Sequence, residues 1–179
     1  MRYFSGLNMG EGVAGGQQIA ISTSQIYSCM GVAFANTRTG WGGLYHYPAG
    51  RADSYGVAET MRQMYNDVKP DIVVITPAGN PNQTHGIGST QQDIANLVQL
   101  LLQMGAAPVF AAQSSTGAQL SWNNGLPVFE GEDFSDLHDA YVPAAVRRQP
   151  CLSGRLLRAG VWYYGGDGEV GPVYAALTQ

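Results

Sequence analysis

IAISTSQIYSCMGVAFANTRTGWGGLYHYPA, residues 19–49, decides how the rest of the chain is read. Met30, Val32 and Phe34 alternate with Gly31, Ala33 and Ala35, which is the period of a β-strand. Asn36–Gly40 (NTRTG) is turn chemistry, and Gly42–His46 (GGLYH) reads as the returning strand of a hairpin. The stretch carries one of the two cysteines, Cys29, and one of the three histidines, His46. Thr23 precedes the cysteine by six residues, and His46 follows it by seventeen. Folding the second strand back along the first brings a thiol and an imidazole within reach. A thiol becomes a strong nucleophile once it loses its proton, and a neighbouring imidazole is the usual base for that step. A cysteine in an apolar strand also serves elsewhere as an inert core residue, and a threonine there as an ordinary strand residue.

The flanking sequence adds helices. Tyr55–Val68 places Val57, Ala58, Met61, Met64, Tyr65 and Val68 at helical steps, with Glu59, Arg62 and Asn66 on the other side. Asp53 or Ser54 is the expected cap, and Pro70 the stop. Asp71–Thr76 (DIVVIT) is a continuous β-branched run, as in a strand buried on both faces. A second helix is expected from Ser89, with a capping box to Gln92, a stripe of Ile94, Leu97, Val98, Leu101 and Met104, and Gly105 as its end. Pro108–Ala112 follows as a strand. A strand, helix and strand in that order imply a crossover and a parallel or mixed pairing. Ala118–Phe129 turns at Asn123-Asn124-Gly125, a hairpin signal.

Composition bounds the function. The 179 residues are 45% hydrophobic, enough for one sizeable core. Charged residues make up only 12% and the net charge is −4, which argues against a nucleic-acid partner. Two cysteines, Cys29 and Cys151, do not make a disulfide framework. No apolar run of about 18 residues exists to insert in a membrane, and residues 1–16 lack a signal-peptide core. The expected location is therefore the cytoplasm, or outside the cell after export without a cleavable signal.

Thr23, the Ser28-Cys29 pair, and Gly43-Leu44-Tyr45-His46 followed by Pro48 resemble the signature of the chemoreceptor glutamine deamidases, the CheD family. The same Cys-His arrangement belongs to a wider superfamily that includes the catalytic domain of cytotoxic necrotizing factor and the Burkholderia lethal factor. The likeness extends over residues 17–130, through the Ile87-Gly88-Ser89 helix start and the strand after Gly105. Two departures stand out: Thr76-Pro77-Ala78 replaces a glycine pair, and Tyr27 replaces the glycine before Ser-Cys.

The resemblance implies an α+β fold, a mixed β-sandwich flanked by helices in α/β/β/α layers. It implies a catalytic core at 17–130; the glycine-rich composition of 1–16 reads as a flexible lead-in, and the elements expected in 131–179 read as an extension on the same domain. The implied activity is deamidation of glutamine side chains in a partner protein, either a chemoreceptor or a host protein attacked by a bacterial effector. Cys29 is the expected nucleophile, His46 the base and Thr23 the residue that orients the ring. Backbone N–H groups of Ser28 and Cys29 are the expected oxyanion donors, with His85 at the substrate rim. No metal or organic cofactor is expected; the acidic run Glu130–Asp139 with His138 matches no metal-binding spacing and reads as a solvated loop. Small-molecule amidase or transglutaminase chemistry uses the same pair of groups, and a non-catalytic binding protein on the same scaffold is the alternative from another class.

Overall fold

The computed structural model describes residues 3–4, 7, 9–16, 18–23, 26, 28–49, 56–79, 89–106, 109–112, 115–129 and 161–165, and the backbone of 155–158. Among them are eleven strands and two helices. The strands are β1 (Tyr3–Phe4), β2 (Glu11–Gly15), β3 (Ala20–Thr23), β4 (Met30–Ala35), β5 (Gly42–Tyr47), β6 (Ile72–Pro77), β7 (Val109–Ala111), β8 (Ala118–Asn123), β9 (Leu126–Val128), β10 (Arg155–Arg158) and β11 (Val161–Gly165). The helices are α1 (Val57–Val68) and α2 (Gln91–Gln103). A seven-stranded sheet runs β10-β11-β2-β5-β4-β6-β7, and a four-stranded sheet runs β1-β3-β8-β9. The large sheet is mixed: β4 is antiparallel to both β5 and β6, and β6 is parallel to β7 across the α2 crossover. The fold is thus an α+β sandwich.

Strand alternation sorts side chains between two cores. Met30, Val32, Phe34, Tyr45, Val73 and Ile75 face α1 and α2, where Val57, Met61, Met64, Val68, Leu97 and Leu101 cover them. Ala33, Ala35, Leu44, Val74 and Tyr163 face the small sheet and meet Ile21, Ala118, Leu120 and Trp122. Both helices therefore lie on the same side of the large sheet. The order among the described residues is helices, large sheet, small sheet.

The central hairpin closes as its turn residues require. Gly40 has φ +76, a conformation that favours glycine. Asn36 Oδ1 accepts from the N–H groups of Arg38 and Thr39, and its amide donates to the carbonyls of Val68 and Lys69. One side chain thus shapes the turn and satisfies the carbonyls left open at the end of α1. Asn124 and Gly125 both take positive φ between β8 and β9, the geometry that suits a two-residue hairpin.

Three expectations need correction. Residues 11–15 are not a flexible lead-in: β2 is fully buried and pairs with both β5 and β11. Its small residues let the layers above it close, since a Cβ on Gly12 would run into Met64 and Tyr45. The α1 N-cap is Gly56 in the left-handed conformation, without a side-chain cap. For α2 the cap is Thr90, whose hydroxyl accepts from Asp93 N–H at 3.1 Å. Ser89 is turned to a different use, described below. From the 131–179 extension, β11 adds to the large sheet beside β2, with β10 outside it.

Candidate functional site

Thr23 and His46 meet between the two sheets. The Thr23 hydroxyl donates to the Leu7 carbonyl at 2.9 Å, and Thr23 Oγ1 lies 3.0 Å from His46 Nδ1. His46 Nδ1 is also 3.2 Å from the Leu7 carbonyl. A carbonyl only accepts, and the single hydroxyl proton is directed to Leu7, so Nδ1 must carry the ring proton. The lone pair then resides on Nε2, which is buried and has no hydrogen-bond partner among the described residues. A hydrogen bond from Gly10 N–H to the His46 carbonyl, 2.9 Å, fixes the backbone of the same residue. Burial holds the imidazole pKa down to about 4, against a smaller upward pull from the Leu7 carbonyl. At neutral pH the ring is an uncharged acceptor.

Cys29 shares this interior. In β4, Gly31 is paired with His46 of β5 and with Thr76 of β6. Cys29, two residues earlier, belongs to the buried cluster between the sheets and is 7% exposed. It is diagonal to His46 on one face, a relation that sets α-carbons roughly 7–8 Å apart, within the span of the two side chains. The small sheet presses closely here: a Cβ built on Gly31 would collide with the methyl of Ala118, which is paired with Thr23. Glycine at 31 thus lets Thr23 reach the imidazole.

The predicted residues divide accordingly. Thr23 and His46 are in hydrogen-bond contact, and Cys29 lies on the same face. Ser28 is at the exposed rim next to Cys29. His85, His138 and Cys151 lie outside the described residues.

Three features of this interior carry no plain sequence signal. The Leu7 carbonyl is a backbone group that every residue possesses. Ser89 accepts from Ala78 N–H at 2.8 Å and reaches the carbonyls of Ser28 and Cys29, each at 3.3 Å. Glu11, buried in β2, accepts a 2.6 Å hydrogen bond from the Tyr163 hydroxyl of β11. A lone acidic residue in a glycine-rich run was the only hint of it.

Among the described residues no helix is long and apolar enough to cross a membrane, and no three His, Cys, Asp or Glu side chains cluster to hold a metal. The chain matches no model of a known protein family and no curated protein sequence.

Proposed function

We propose that this protein is a thiol hydrolase that deamidates glutamine side chains of a partner protein through Cys29, His46 and Thr23. The observation that carries the reading is the contact of His46 Nδ1 with Leu7 and Thr23, which ties up that nitrogen and leaves Nε2 open, among the described residues, on the face that holds Cys29. His46 Nε2 takes the thiol proton as sulfur attacks the amide carbon. The same proton passes to the departing nitrogen, ammonia leaves, and a thioester remains. Water then attacks the thioester, with His46 again the base, and releases glutamate and the thiol. Backbone N–H groups at Ser28 and Cys29 are the proposed oxyanion donors. An imidazole with a pKa near 4 holds no resting ion pair with the thiol, so proton transfer accompanies attack.

The partner is a protein with an accessible glutamine, either a chemoreceptor or a host protein. The site of action is the cytoplasm, or a target cell reached by export without a cleavable signal. The test is mass spectrometry of purified chemoreceptor cytoplasmic fragments and host protein extracts after incubation with wild type and Cys29→Ser. The expected outcome is amide-to-acid conversion at particular glutamines with wild type alone. Conversion by both proteins, or by neither, removes the proposal.

The burial of Cys29 favours a second reading, a binding protein that keeps the scaffold without the chemistry. Iodoacetamide separates the two. A catalytic Cys29 alkylates faster than an unperturbed thiol, and His46→Ala abolishes that advantage.

A further inference from the structure

We propose that Ser89 is a positioning residue for the nucleophile, an inference that rests on the hydrolase reading above. Its hydroxyl contacts the carbonyls on both sides of the Cys29 α-carbon, those of Ser28 and of Cys29 itself, each at 3.3 Å. Each carbonyl belongs to a planar peptide unit, so holding its oxygen orients the whole unit. The two units flanking one α-carbon define its φ and ψ, and these direct the Cα–Cβ bond. Ser89 therefore sets the direction of the Cys29 Cα–Cβ bond that carries the sulfur.

The anchor is itself fixed. Ser89 Oγ accepts from Ala78 N–H at 2.8 Å, while Ser89 N–H donates to the Ala78 carbonyl at 3.1 Å. Ala78 follows β6, which is registered to β4 from Met30–Pro77 onward. Beyond it, Gly79 N–H donates to Ser115 and Ser115 N–H to Pro77, at 3.1 and 3.0 Å. The serine thus bolts the entry to β4 onto the end of β6. Helix capping falls to Thr90, so the Ser89 hydroxyl is not needed for α2. Cys29 lies just before the first paired residue of β4, so the Ser89 hydroxyl acts where strand pairing begins.

The test compares full-length wild type, Ser89→Ala, Ser89→Thr and His46→Gln, following iodoacetamide modification at Cys29 by peptide mass spectrometry from pH 5 to 10. Circular dichroism of each protein checks the fold. Ser89→Ala is expected to slow alkylation at pH 7 roughly tenfold, as a misplaced nucleophile does, and to move the pH profile. Ser89→Thr, which keeps the hydroxyl, is expected to restore both. A folded Ser89→Ala with the wild-type rate and profile overturns the positioning role while leaving His46-dependent reactivity, and so the hydrolase reading, intact. If wild-type Cys29 reacts no faster than an unperturbed thiol and His46→Gln changes nothing, both fall. Should Ser89→Ala lose its fold, Ser89→Thr decides: a folded Thr variant with a displaced profile overturns the proposal, and a wild-type profile supports it.

Discussion

The two faces of the large sheet are built by opposite rules. Towards the helices, β4 and β5 present Met30, Val32, Phe34, Tyr45 and Tyr47, large side chains under Met61, Met64 and Leu101. Towards the small sheet the same strands present Gly31, Ala33, Ala35, Leu44 and His46, with Cys29 just before β4 on the same side. The first face holds the fold by buried area. Where Gly31 and the alanines lie, the second has little bulk, so the sheets come close, and Thr23 and His46 are enclosed there in contact with each other and with the Leu7 carbonyl. Bulk and the proposed chemistry thus fall on opposite sides of one hairpin.

Phe34→Ala gives the largest expected effect. It removes a ring packed edge-on against Tyr65, with centroids 6.2 Å apart, and should lower unfolding free energy by about 4 kcal/mol. Denaturant titration measures that loss. The His46 pKa, followed by NMR in the remaining folded protein, should stay near 4. A large change in His46 would mean the faces are not independent.

Acid comes next. Between pH 6.5 and 4 the unfolded chain binds a proton at His46 that the folded chain refuses. This contribution is complete above pH 6.5 and drains away as pH falls through the window, by about 3 kcal/mol at most. Denaturation curves at stepped pH should show the slope, and His46→Phe should lack it. The acid limb of any His46-dependent activity should likewise fall near pH 4, well below that of an exposed histidine.

Gly31→Ala adds one methyl to the inner face against Ala118. It should cost about 2 kcal/mol by overpacking. Unlike Phe34→Ala, it should also displace His46 from Thr23 and shift the NMR titration. Smallest is Thr23→Val, at about 1 kcal/mol. The Leu7 carbonyl still accepts from Nδ1–H, so the ¹⁵N shifts of the ring should report the same tautomer. Loss of that tautomer would show the hydroxyl, and not the carbonyl, to be the main restraint.

The sequence made the hairpin, α1, β6, α2 and the Asn124-Gly125 turn legible, because each combines a clear hydrophobic period with its own punctuation. Thr23, Cys29 and His46 were legible as residue types at a spacing. β2 was not, because glycine and alanine mark a flexible segment and a tightly covered strand alike. Leu7 was invisible because its contribution is a carbonyl. Ser89 was misread as a cap because Ser89 and Thr90 are both good caps, and the choice depends on what each hydroxyl finds nearby.

Glu11 and Tyr163 are hydrogen-bonded although 152 residues separate them. During synthesis β2 emerges well before β11, so one of its edges has no neighbour until residues 161–165 leave the ribosome. For that interval the nascent chain carries an open strand edge, which invites pairing with other chains. Chaperone demand should therefore rest on this long-range closure more than on the hairpin that houses the thiol.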